Sequence, residues 1–162
     1  MHWITKLAIR VFGVDRTKSL IAFLFSISYR WIKFRNAIKK KFVGRKDNKY
    51  LFILSPPFCG STLLNHIISS STNVSSNNNF NSREGQQLPE VKSMMFDNKS
   101  RWHPDTTFDW DFIKPVWEKY WDVTKPVLLE KSPCSIVRAD TLANVFQPVS
   151  YTHLTLPTKR IV

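Results

Sequence analysis

The chain is poor in cysteine, poor in acidic residues over its first third, and without a long apolar run. Two cysteines, Cys59 and Cys134, in 162 residues are too few for a disulfide scaffold or a four-ligand zinc site. No metal is expected, and a reducing, cytoplasmic compartment is. The longest uncharged run near the N-terminus, "SLIAFLFSISY" at residues 19–29, is shorter than the roughly 20 residues that a membrane span needs. It lies between Lys18 and Arg30 with no small-residue cleavage site after it, which argues against a secretory signal. Residues 1–49 hold only Asp15 and Asp47 against 13 Lys and Arg, a net charge of +11. Residues 50–162 hold 11 basic and 10 acidic residues, a net of +1. The basicity therefore belongs to an N-terminal arm and not to the body.

What is present supports one folded domain after that arm. A hydrophobic fraction of 43% and an aromatic fraction of 14% suit a packed core. In the arm, Trp31, Phe34 and Ile38 continue apolar positions at helical spacing, with Lys33, Arg35, Lys39, Lys40 and Lys41 around them. That pattern fits an amphipathic helix lying on a membrane surface or on the body of the protein. A nucleic-acid partner is disfavoured, because basic and aromatic residues are not interleaved over the nearly neutral body.

The stretch "RKDNK", 45–49, reads as a hinge between arm and body. "YLFIL", 50–54, is wholly apolar, as in a strand buried on both faces of a parallel sheet. After Gly60, Leu63, Leu64, Ile67 and Ile68 recur at helical spacing. The polar run "SSSTNVSSNNNFNS", 69–82, is expected to be a mobile loop, and "EGQQLPEVKSMMF" to carry a short helix. "DFIKPVWEKYW", 111–121, predicts a helix capped by Asp109 or Asp111, with Pro115 in its first turn and Phe112, Trp117, Tyr120 and Trp121 buried. "PVLLE", 126–130, is a second buried strand. "SPCSIVRADTLANVF" follows as a helix with Ile136, Val137, Leu142 and Val145 as core candidates. This order predicts an α/β fold with a parallel sheet.

Between the first strand and the first helix stands "SPPFCGSTLL", residues 55–64. A strand, a tight turn and a helix aim free backbone N–H groups and the helix dipole at one point. Gly60 lets the backbone approach an anion, and the Ser61 and Thr62 hydroxyls can donate to it. The nucleotide-hydrolase pattern ends Gly-Lys-Ser/Thr; Ser61 stands where its lysine would be, which disfavours an NTPase. "LLEKSP", 128–133, puts Lys131 at the carboxyl end of the second strand, where ligands of parallel sheets bind. Such a lysine can stabilise charge on a group being transferred.

"FILSPPFCGSTLL", "VLLEKSP" and "VRADTLANVFQP" together resemble the sulfotransferases that use 3′-phosphoadenosine-5′-phosphosulfate, over about residues 50–148. The resemblance implies a P-loop-NTPase-like three-layer sandwich with a parallel sheet, truncated here and preceded by basic N-terminal helices. It implies sulfonate transfer from that donor to a hydroxyl or amine of a small-molecule, carbohydrate or peptide acceptor. By resemblance Pro57, Phe58, Cys59, Gly60, Ser61, Thr62 and Leu63 form the 5′-phosphosulfate loop. Phe58 departs from it where the family usually has Arg or Lys, and Cys59 where it has Ser. Glu84, in "NSREGQQLPEV", is implied as the general base on the acceptor, and Lys131 as the contact to the transferred sulfonate. His103 is a weaker candidate for an acceptor contact. The other reading is a non-catalytic nucleotide-fold module tethered to a membrane or nucleic acid by its arm, with residues 1–46 on the membrane surface.

The expected organisation is thus an arm at 1–49, a partial sulfotransferase domain at 50–148, and a tail at 149–162. "VSYTHLTLPT", 149–158, resembles translated sequencing-adapter DNA. The expectation is that the natural frame stops near Pro148, leaving an inactive and marginally stable fragment.

Overall fold

The structure, a computed structural model, describes residues 14–147 and, for the backbone alone, 149–153. Helix α1 runs Val14–Val43, strand β1 Lys49–Leu54, helix α2 Ser61–Ser69 and strand β2 Val74–Ser76. A 3₁₀ turn at Gly85–Gln87 precedes helix α3, Lys92–Met95, and helix α4, Trp110–Tyr120. Strand β3, Val127–Glu130, leads through a 3₁₀ segment, Pro133–Arg138, into helix α5, Ala139–Val145, and strand β4, Val149–His153. The fold is mixed α/β, with sheet order β2-β3-β1-β4 and every neighbouring pair parallel.

Alternation along β1 sends side chains to both faces of the sheet. Leu51 and Ile53 point to one face, where Leu64 and Ile68 of α2 pack with Val74, Val127 and Leu129. Tyr50 and Phe52 point to the other, where they meet Trp121 and Trp117 of the α4 segment, and Phe146. Phe146 is wholly buried. Its ring lies 5.2 Å from Tyr50, 5.2 Å from Phe52, 5.7 Å from Trp117 and 6.2 Å from Trp110. One side chain thereby joins the end of α5 to β1 and α4.

Strand order creates a switch point. The chain leaves β1 through α2 toward β2, on one side. It leaves β3 through α5 toward β4, on the other side of β1. A crevice therefore opens between the carboxyl ends of β1 and β3, the place where such sheets bind ligands.

Several expectations need correction. The polar run 69–82 contains β2, whose ladder to β3 is Val74↔Val127, Ser75↔Leu128 and Ser76↔Leu129. Two of its buried polar side chains have partners: Ser75 Oγ accepts from the Asp122 N–H at 2.8 Å, and Asn78 Nδ2 donates to Glu84 O at 2.8 Å. Helix α4 begins at Trp110, capped by Asp109, which accepts from the Phe112 N–H at 2.9 Å. Pro115 thus falls inside the second turn, beyond its expected place. Burial of Ile113, Val116, Trp117 and Tyr120 on the same helix offsets the lost backbone bond, while Phe112 is 44% exposed. Val137 is exposed and Ile136 half-buried, because residues 133–138 wind as 3₁₀ with a period of three. Leu63 and Ile67 face outward from α2.

The 45–49 stretch is pinned and not hinge-like: the Lys46 and Lys49 N–H groups donate to Val123 O and Pro126 O at 3.2 and 2.8 Å. The chain instead divides into two compact units between Arg35 and Asn36, within α1. In the first unit, Leu20, Phe23, Leu24, Ile27, Trp31 and Phe34 are exposed. In the second, Asn36 Nδ2 donates to Tyr120 O at 2.8 Å and Lys39 pairs with Asp122 at 2.6 Å. Among the described residues no helix is long and apolar enough to cross a membrane. Residues 149–153, the start of the adapter-like stretch, pair with β1 from Tyr50↔Val149 to Leu54↔His153; the remainder of that stretch lies outside the described residues.

The aromatic cluster generates a prediction. Phe146→Ala should lower unfolding free energy by about 3–5 kcal/mol, the usual cost of emptying an aromatic site, while Phe146→Leu should cost less than half of that. Urea unfolding of the three proteins checks it, and equal midpoints would show that Phe146 does not join these elements.

Candidate functional site

The loop after β1 is bent by two left-handed residues, Phe58 at φ 64° and Gly60 at φ 75°. For phenylalanine this conformation costs about 1–2 kcal/mol. Its ring gains nothing in return, since it is fully exposed. Such strain on a loop is an observation that points to function rather than packing. At Gly60 a Cβ would meet no atom within 4 Å, so the space in front of the turn is open. Leu64 N–H bonds Gly60 O at 3.1 Å as the first helical bond. The N–H groups of Ser61, Thr62 and Leu63 precede it, and the geometry of a helix start leaves them no acceptor within the helix. They are directed, with the positive end of the α2 dipole, at the open space.

Lys131 and Glu84 close the site. Lys131 follows β3 and is 1% exposed; Glu84 precedes the Gly85–Gln87 turn and is 8% exposed. Lys131 Nζ donates to Glu84 Oε1 at 2.9 Å and to Thr62 Oγ1 at 3.2 Å. Glu84 Oε2 accepts from Gln86 Nε2 at 2.6 Å and Gln87 Nε2 at 2.9 Å. Three donors thus occupy the carboxylate, of about four lone-pair directions. Both side chains are far from the solvated state that ordinary strand-end and loop residues adopt. The pair stands at the β1–β3 crevice, because Phe52 pairs with Glu130 in the sheet register, one residue before Lys131.

These residues line one cavity of about 570 Å³. Pro57, Phe58, Gly60, Ser61, Thr62, Glu84 and Lys131 all reach it. Cys59 and Leu63 are not among its lining side chains; Cys59 is half-buried and Leu63 is 64% exposed. His103 is exposed beside Asp105 and does not line the cavity. Cys134 is buried, and burial pushes its thiol up to about 12, which keeps it protonated and unreactive near neutral pH. Among the described residues no cluster of three or more His, Cys, Asp or Glu is placed to hold a metal ion.

Sequence reasoning missed several residues. Gln86, Gln87, Phe96, Arg101 and Trp102 also line the cavity. They come from the segment after β2, and no local spacing marks them. Arg138 was missed as well. Its guanidinium donates to Arg101 O at 2.7 Å, His103 O at 2.9 Å, Cys134 O at 3.0 Å and Thr106 O at 3.0 Å. It thereby ties the 101–106 loop to the segment after β3. The one available signal was a lone cation in an otherwise weakly polar helical stretch.

Beneath the pair lies Glu130, wholly buried. Ser132 Oγ donates to its Oε1, and Oε2 has no partner among the described residues. The same Ser132 Oγ accepts the Gln86 N–H at 2.9 Å. Gly85 is required here by close approach: a Cβ would sit 2.7 Å from Glu130 Oε1 and 2.5 Å from Asn77 Nδ2. Burial, opposed by the Ser132 bond and by Lys131, pushes the Glu130 carboxyl up to about 7.

This sets a pH dependence. A carboxyl whose folded value exceeds its unfolded one contributes stability fully present below about 4.5 and lost as pH rises through about 7. Within that window the slope is at most roughly 1.4 kcal/mol per pH unit. Wild type should therefore lose stability from pH 5 to pH 8 relative to Glu130→Gln, whose curve lacks this decline. Urea midpoints at the two pH values check it; parallel curves would mean that Glu130 is ionised throughout.

Comparison with protein-family models, with curated proteins and with solved structures returned no match.

Proposed function

We propose that the chain carries the 5′-phosphosulfate loop and the catalytic residues of an enzyme that transfers sulfonate from 3′-phosphoadenosine-5′-phosphosulfate to a hydroxyl or amine acceptor. The observation that carries the reading is the convergence of the α2 N-terminus and Lys131 on one cavity, with Lys131 Nζ 3.2 Å from Thr62 Oγ1. The same reading takes the body as a P-loop-like three-layer sandwich, supported by the parallel sheet with helices on both faces.

The residues fit the donor. The Ser61, Thr62 and Leu63 N–H groups would hold the 5′-phosphate side. Open space at Gly60 admits its oxygens. Phe58 supplies no cation, so Lys131 carries the positive charge toward the sulfonate. In the transfer the acceptor oxygen forms a bond to sulfur while the bond from sulfur to the phosphate oxygen breaks. Glu84 takes the acceptor proton, using its one unfilled lone-pair direction, and 3′-phosphoadenosine-5′-phosphate leaves with the electron pair. Preorganised charge of this kind lowers the barrier because the enzyme does not have to reorient it during the reaction.

Donor-product binding tests the reading. Wild type should bind 3′-phosphoadenosine-5′-phosphate, and Gly60→Val should lose that binding, since a side chain would enter both the strained φ and the oxygen site. Lys131→Ala should lower turnover about a hundredfold to a thousandfold. Because the lysine is buried and paired, this variant should also lose about 3–5 kcal/mol by stranding Glu84. Lys131→Met combined with Glu84→Gln should recover stability and remain inactive. No binding of the bisphosphate by a folded wild-type chain would remove the proposal.

The exposed apolar stripe of α1 supports a second element of the reading, a peripheral membrane position for the arm. Leu20, Leu24, Ile27, Trp31 and Phe34 recur at helical spacing and are exposed, within a segment rich in Lys and Arg. The full chain should sediment with vesicles containing anionic lipid at low salt and be released at high salt, where charge is screened. Failure to sediment at low salt would leave the arm to another partner.

A further inference from the structure

The cavity carries three charged side chains, Glu84, Arg101 and Lys131. Glu84 and Lys131 neutralise one another. Arg101 is left as the uncompensated cation. Among the described residues no carboxylate pairs with it: nearby Asp97 is taken by Lys92 at 2.7 Å, and Asp105 lies beside His103 at 3.5 Å. Among the described residues its one donation is from Nη1 to Asn98 O at a long 3.3 Å, and its Nε is buried without a partner.

The guanidinium sits 5.3 Å from the Phe96 ring centre and 5.8 Å from that of Trp102. Stacking of this kind holds an arginine while leaving N–H groups at its edge free for a planar anion. Trp102 is 37% exposed, so part of its ring is open to a ligand. The segment that presents both residues is held by Arg138 through three of its carbonyls, Arg101 O, His103 O and Thr106 O. The arrangement is therefore supported from behind rather than carried by a free loop.

We propose that Phe96, Arg101 and Trp102 form the acceptor subsite, and that it selects an acceptor bearing a negative charge next to a flat ring face. The inference rests on the sulfonate-transfer reading for the word acceptor. The charge selection itself does not. Both an aromatic acid and a sugar acid present this chemistry, so both are probed.

The test compares matched pairs on the full-length chain. One pair is 4-hydroxyphenylacetate and its neutral amide; the other is methyl glucuronide and methyl glucoside. Binding is read by tryptophan fluorescence, with and without 3′-phosphoadenosine-5′-phosphate. The acid of at least one pair should bind about tenfold more tightly than its neutral twin, the worth of one charge-assisted hydrogen bond. Arg101→Gln should abolish the preference and Arg101→Lys should keep part of it, with melting temperature and bisphosphate affinity unchanged in both. The pair with the larger preference identifies the acceptor class. Equal affinities in both pairs, or a preference that survives Arg101→Gln, would overturn the proposal. So would a tenfold loss of bisphosphate affinity in Arg101→Gln with the acid preference intact, since Arg101 would then belong to the donor. If wild type binds no bisphosphate, the sulfonate-transfer reading fails while the acid and neutral comparison still decides the subsite.

Discussion

A buried ion pair organises this molecule. Lys131 and Glu84 are both withdrawn from water, and neither charge is tolerable there alone. Their bond joins the end of β3 to the turn at Gly85–Gln87, and Lys131 also reaches the first turn of α2 through Thr62. Three segments distant in sequence are thereby fixed at the crevice between β1 and β3. Most other polar contacts in the region serve this pair. Gln86 and Gln87 fill the far oxygen of Glu84, and Ser132 holds the Gln86 backbone.

The sheet makes that meeting possible. Tyr50 and Phe52 on one face and Leu51 and Ile53 on the other let β1 be covered on both sides. A strand so buried has a rigid carboxyl end, and the turn that follows it can carry strain at Phe58. Glu130 extends the linkage downward: it is the last residue of β3, adjacent in sequence to the lysine, and its carboxyl is bonded through Ser132 to the turn that carries Glu84. The state of one hidden proton therefore bears on the same turn that holds the ion pair.

Part of this was legible in the sequence. Gly60, Ser61 and Thr62 are contiguous and lie between an apolar run and a helical one, so their role as a turn is local information. Lys131 is likewise marked by the strand before it. Glu84 entered only through resemblance, and its burial was not readable, because burial depends on Lys131 arriving from 47 residues away. Arg101, Trp102 and Arg138 were invisible for the same reason: their partners are backbone carbonyls and rings brought in by tertiary folding. Strand β2 was hidden by composition. Serine and asparagine read as loop until a neighbouring strand supplies the ladder and side-chain partners bury them. Pro115 shows the reverse case, a strong local signal overridden by the burial of four neighbours on α4.

The anchoring by Arg138 has a consequence for the conditions under which the cavity keeps its shape. All four of its hydrogen-bond acceptors are main-chain carbonyls, and its plane rests 4.2 Å from the Phe108 ring centre. Among the described residues no carboxylate takes part, which leaves no partner to protonate in mild acid and no pair of opposite ions for salt to screen. The anchoring of Arg101 and Trp102 by Arg138 is therefore insensitive to mild acid and to salt, whereas Glu130, buried beneath the Lys131–Glu84 pair, responds to acidity directly. One support of the cavity is thus held by fixed dipoles, and another rests on a group whose charge changes with its surroundings.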